Sequence, residues 1–223
     1  MAGTSQSNDA QVAHNIGSID GWVVKLDALG SIEWEKTYGG TNVEYINSIV
    51  QTADNGYIFV GFTYSNDGDI IQNQGNCDGW IVKLNSNGLI ERQKTYGGSD
   101  VDFLYAIQQT SDGGYITCGQ TESLNGDLSI NRGITDAWVL KLNSLCNIVW
   151  NKTYGGSNDD GFGSIIQTQN GNYIMTGSTN SNDFDVTTNY GESDGWIVKT
   201  NSTGSLIGKK TLEEMIETEL AIL

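Results

Sequence analysis

The feature that most limits how this chain can fold is a unit of 58 residues that recurs without loss of register. Asp20-Gly-Trp22 returns as Asp78-Gly-Trp80, Asp136-Ala-Trp138 and Asp194-Gly-Trp196. Lys36-Thr-Tyr-Gly-Gly40 returns at 94–98 and 152–156, and the fourth copy begins as Lys210-Thr211 before Leu212 breaks it. A unit of this length is one supersecondary motif that cannot bury its apolar face alone, so neighbouring copies must stack.

Each copy contains four short runs rich in β-branched and aromatic residues, a composition that favours strands. In the second copy these are Tyr45–Gln51, Gly56–Thr63, Gly79–Leu84 and Leu89–Tyr96, called A to D in each copy. A tight turn such as 111–114 joins A to B, and one such as 85–88 joins C to D. With no proline and 29 glycines, these turns rely on Gly and Asn, which reach positive φ at low cost. About 14 residues join B to C, and the Tyr-Gly-Gly segment joins D to the next A. On run C, Trp80, Val82 and Leu84 share one face and Ile81 takes the other, as expected of a sheet packed between two others. The expected fold is therefore all-β: a β-propeller of four blades, each with four antiparallel strands. One domain spans 1–223, with copies at about 1–38 (partial), 39–96, 97–154 and 155–212.

Four full copies would need nine residues more than the 223 present. The gap falls on one A–B turn, so the first blade is expected to be completed by both chain ends. Ala2–Ser5 matches the end of strand B and Glu219–Leu223 matches strand A. The sequence LEEMIETELAIL, 212–223, also fits an amphipathic helix with an acidic first turn, so 213–223 is either a closing strand or a helix. A helix would leave the ring open to pairing between two chains, and the oligomer is either a monomer or a homodimer.

The segment KTYGGSDVDFLYAIQQTSDGGYITCGQT, followed by DGWIVKLNSNG in its repeat position, resembles the bacterial and archaeal β-propeller repeat family labelled SBBP. The likeness runs from about Gly3 to Thr211. It implies a propeller that works outside the cell or at its surface, and it carries over no catalytic residue. The chain departs from the pattern in its low copy number and over 212–223.

Charge narrows the partners. Twenty-seven acidic residues face 11 basic ones, for a net charge of −16. That excludes nucleic acid and anionic membrane, which need a cationic surface. No apolar run approaches 18 residues, so no membrane span is expected, and the polar N-terminus does not read as a signal peptide. Cys77, Cys118 and Cys146 do not recur with the repeat and are expected to be free thiols. The repeated lysines Lys25, Lys83, Lys141 and Lys199 are expected to pair with repeated carboxylates. Trp22, Trp80, Trp138 and Trp196 are expected in the blade core, with stacking on sugars as the rival role.

Strand alternation places the B–C and D–A loops at one end, and long loops gathered on one face usually carry a repeat protein's binding surface. Most of the acids fall there. The sharpest candidates are Asp67 and Asp69, Asn125 and Asp127, and Asp183 and Asp185, whose spacing resembles part of a calcium loop without its closing glutamate. Calcium is thus a possible ligand, against simple turn formation. Catalysis finds little support: His14 has no repeated partner, and adjacent acids such as Asp159-Asp160 are usually structural in repeat loops. The expected function is non-enzymatic binding or scaffolding through the acidic long-loop face, toward a protein or glycan partner. The alternative is a calcium- or carbohydrate-binding module with one weak site per blade.

Overall fold

The computed structural model describes residues 1–9, 12, 15–128 and 130–213. Among the described residues, fifteen strands form four antiparallel meanders. Sheet I holds β1 (Ala2–Ser5), β2 (Asp20–Leu26) and β3 (Ile32–Tyr38). Sheet II holds β4 (Glu44–Gln51), β5 (Tyr57–Thr63), β6 (Asp78–Leu84) and β7 (Ile90–Tyr96). Sheet III holds β8 (Asp102–Gln109), β9 (Tyr115–Thr121), β10 (Asp136–Leu142) and β11 (Ile148–Tyr154). Sheet IV holds β12 (Asp160–Gln167), β13 (Tyr173–Thr179), β14 (Asp194–Thr200) and β15 (Leu206–Leu212). This is the blade pattern of a four-bladed propeller, with a three-stranded first blade.

The strands run within a residue or so of the expected bounds, and the offsets have causes. Strand A begins at the acid, because Glu44 pairs across the ladder with Thr63 and accepts its hydroxyl at 2.7 Å. Gly56 stays in the A–B turn, where its N–H donates to Asp54 Oδ1. Leu89 stays in the C–D turn, donating to Asn85 Oδ1.

Three buried clusters glue successive sheets together. Phe59, Trp80, Val82 and Leu84 of sheet II meet Val23 and Tyr38 of sheet I. Ile58, Val60 and Ile81, on the opposite face of sheet II, meet Leu104, Trp138 and Leu140 of sheet III. Ile116, Cys118 and Val139 then meet Phe162, Met175 and Trp196 of sheet IV. The tryptophans at 80, 138 and 196 are at most 1% exposed, so they are core and not platforms for sugars; Trp22 is half-buried. The three cysteines are free and buried.

Polar latches repeat across the same junctions. Tyr38 Oη donates to Gly88 O at 2.7 Å and Tyr154 Oη to Gly204 O at 2.6 Å, and Tyr96 Oη makes the same bond to Cys146 O. Lys83 is buried and binds Asp54 and Glu91 at 2.9 and 3.1 Å; Lys141 binds Asp112 at 2.9 Å and Lys25 binds Glu33 at 2.6 Å. The expected lysine–carboxylate pairs are therefore present in three copies. Lys199 makes no ion pair among the described residues and is exposed.

The fourth junction differs. Leu212 occupies the latch tyrosine's position and has no hydroxyl. Gly195 and Lys199 of β14 are exposed where their counterparts Gly79, Lys83 and Lys141 are buried. Among the described residues, no buried cluster joins sheet IV to sheet I. The expected closing strand Glu219–Leu223, and His14, lie outside the described residues. Of the alternative helix, only Leu212 and Glu213 are described, and Leu212 ends a strand.

Candidate functional site

The six candidate loop residues all lie at the long-loop end, and each is already engaged. Asp67 accepts the Thr41 N–H at 2.8 Å and its hydroxyl at 2.9 Å. Asn125 accepts the Ser99 N–H at 2.8 Å, and Asp183 accepts the Ser157 N–H at 2.8 Å. Asp69, Asp127 and Asp185 accept the N–H groups of Gly39, Gly97 and Gly155 at 3.1, 3.2 and 3.4 Å. Gln74 adds a bond to Asp127 and Arg132 an ion pair to Asp185. Each pair therefore clamps the D–A segment entering its own sheet, satisfying backbone donors that a turn leaves open. Among the described residues, no three His, Cys, Asp or Glu side chains converge as a metal-holding group.

The clamp also explains the Gly-Gly pair. A Cβ on Gly97 would stand 2.5 Å from Asp102 Oδ2 and 2.6 Å from Asp78 Oδ1; one on Gly98 would stand 2.5 Å from Asn125 O. Asp102 is satisfied by Gly98 N–H, Ser123 and Thr121. Asp78 accepts Gln74 N–H at 2.6 Å on one oxygen, while its other, Oδ1, is buried without a partner, as is Oδ1 of Asp136. Burial pushes the carboxyls of Asp78 and Asp136 up to about 6.

What distinguishes one sector from another lies beside these repeated clamps. Where sheets II and III meet, Tyr45, Phe62 and Phe103 form a chain of rings. Tyr45 stacks on Phe62 at 4.9 Å, and Phe62 meets Phe103 at 4.5 Å. Tyr64 and Tyr105 flank the chain. One repeat later, Phe62 is replaced by Gln120 and Phe103 by Gly161. A pocket of about 310 Å³ opens there, lined by Gln120, Thr135, Asp159, Ser178, Asn180 and Ser193, with Asp160 and Gly161 in its wall. The backbone builds it firmly: Thr135 bridges to Asp159, the Asp160 N–H donates to Thr135 O at 2.8 Å, and the Asn180 N–H donates to Asp159 O at 2.8 Å.

Among the described residues, none of those six lining side chains makes a hydrogen bond to another protein group. Thr135 is only 6% exposed, so its unused hydroxyl is open to the pocket and little else. Asp160, in contrast, is saturated by Thr179, Ser181 and Gly156 N–H. Glu122 stands close by, its carboxyl pushed up first by burial and then by the like charges of Asp100, Asp102 and Asp159. Sequence reasoning passed over the pocket because it looked for what recurs. The available sign was the opposite: positions 62, 120 and 178 (Phe, Gln, Ser), and 45, 103 and 161 (Tyr, Phe, Gly), drop out of the repeat.

No family model matches the chain, and no curated protein matches it. Among solved structures, an apocarotenoid oxygenase mutant from Synechocystis aligns with 86% of this chain and 46% of its own, at 11% identity and a TM-score of 0.46. A second mutant of that oxygenase aligns at 12% identity and a TM-score of 0.46, with 87% and 44% covered. A protein of unknown function from Bacteroides caccae aligns at 11% identity and a TM-score of 0.34, covering 92% and 80%. The chain thus spans less than half the length of the oxygenase structures.

Proposed function

We propose that this chain is a non-enzymatic binding module that takes a glycan at its long-loop end, in the pocket between sheets III and IV. One observation carries this reading. Six polar side chains without partners among the described residues line a cavity at the place where the preceding sheet junction is plugged by Phe62 and Phe103. Hydroxyls and amides that both donate and accept suit a polyhydroxylated ring. Phe103 lies directly across the ladder from Gln120.

The non-enzymatic part of the reading rests on the carboxylates. Glycoside hydrolysis uses two positioned acids, yet in the lining only Asp159 is uncommitted while Asp160 is saturated. Action outside the cell follows from the resemblance to secreted repeat propellers. Calcium is the weaker alternative, because the loop acids that could ligate it are held by backbone N–H donors. A glycan array probed with the whole chain tests the reading. Binding to a restricted set of sugars supports it, and a uniformly blank array rejects it.

A further inference from the structure

The pocket's electrostatics narrow the ligand further than its hydroxyls do. Asp159 lines it with a carboxylate that accepts no hydrogen bond among the described residues. Glu122 is crowded by Asp100, Asp102 and Asp159. The basic residue nearest in the chain, Arg132, is taken: it binds Asp185 at 2.8 Å and lies 5.7 Å from the Phe184 ring centroid. Like charges grouped this way raise one another's energy, and a cation placed among them relieves it. The remaining lining is neutral and hydrogen-bonding, and it includes the hydroxyl of Thr135, a residue only 6% exposed, which has no hydrogen-bond partner among the described residues and is open to the pocket.

We propose that the pocket recognises a protonated amino sugar. Its ammonium sits on Asp159, and its ring hydroxyls are read by Thr135, Ser178, Asn180 and Gln120. A lysine side chain would meet the charge but would bring an apolar stem to those hydroxyls and amides. A neutral sugar would satisfy the hydroxyls and leave the carboxylate unpaired. The volume of about 310 Å³ lies at the lower end of ligand pockets and suits a single ring. This inference rests on the glycan-binding reading given above.

Calorimetric titration of the whole chain at pH 6 with glucosamine, glucose and N-acetylglucosamine tests it. Glucosamine is expected to bind about tenfold tighter than the two neutral sugars, the worth of one charge-assisted hydrogen bond. Salt should erode that preference. In Asp159→Asn the preference should vanish while glucose binding persists. Equal binding of all three sugars by the parent chain would overturn the ammonium assignment and leave the glycan pocket standing. Binding of none would overturn both. A preference that survives in Asp159→Asn would remove Asp159 from its role.

Discussion

The ring of Phe62 stands 4.5 Å from the ring of Phe103 across the junction of sheets II and III, and the same two positions one repeat later are Gln120 and Gly161. A repeat scaffold thus supplies its own control: one junction plugged, the next open. A Cβ at Gly161 would meet first the Gln120 Oε1, at 3.0 Å, the far end of a flexible side chain. The double variant Gln120→Phe/Gly161→Phe should therefore fold with an unfolding midpoint close to the parent's. It should also lose saccharide binding altogether, by calorimetry. Retained binding would place the ligand elsewhere.

The latch tyrosines should contribute measurably to stability. Tyr154 Oη is the partner of a buried carbonyl, Gly204 O, at 2.6 Å. Tyr154→Phe keeps the ring and orphans that carbonyl, which should cost about 1–3 kcal/mol in denaturant unfolding. No measurable loss would show that the latch is incidental.

Glycine at 97 is required by contact with two acids. Gly97→Ala places a methyl about 2.5 Å from the carboxylates of Asp102 and Asp78. Overpacking of that kind costs about 1–3 kcal/mol. Gly3→Ala, with nothing within 4 Å of its Cβ, is the matched control and should leave the unfolding midpoint unchanged.

Stability should fall as the pH rises from about 4 to about 6. The carboxyls of Asp78 and Asp136 are raised by burial to about 6 in the folded chain and return to the ordinary range near 4 when unfolded. Between those values the folded state holds more protons, so raising the pH favours unfolding. Burial likewise raises the carboxyls of Asp102 and Asp160, which adds in the same direction. Asp112 acts oppositely: burial raises its carboxyl, but Thr110, Lys141 and Gly114 outweigh this and hold it at about 2, so its contribution is lost only at lower pH. Thermal melts across that window should show a declining midpoint, flatter in Asp136→Asn. A rising midpoint would refute the assignment.

The repeat also explains a cysteine in an unusual backbone. Cys146 has φ 59° at a turn position held elsewhere by Gly30, Gly88 and Gly204. Cβ atoms on Gly88 and Gly204 would meet the rings of Trp34 and Trp150 at 2.9 and 3.0 Å. The residue equivalent to those tryptophans before Cys146 is Arg92. Arg92→Trp should thus be destabilising alone and relieved by adding Cys146→Gly, a coupling that a double-mutant cycle reads directly. Additive effects would contradict the account.

Much of the architecture was legible because it recurs. The Asp-x-Trp and Tyr-Gly-Gly steps locate the three junctions between sheets I and IV in chain order, and Trp80, Trp138 and Trp196 fall in the core where strand alternation puts them. The fate of the loop acids was harder to read. Asp67, Asn125 and Asp183 look like metal ligands in isolation, and their real partners are backbone N–H groups 26 residues earlier in the chain. Only the folded loop brings these together. The pocket was least legible, since Gln120, Gly161 and Ser178 carry no motif and matter only as departures from the aromatic positions before them.

The central claim is that divergence of the repeat opened a binding site between sheets III and IV. Amide chemical-shift mapping during titration with glucosamine tests it most directly. The account predicts perturbations centred on Gly161, Asn180 and Ser193. Perturbations centred instead on the clamp residues Asp67, Asp127 and Asp183, or none at saturating sugar, would contradict it.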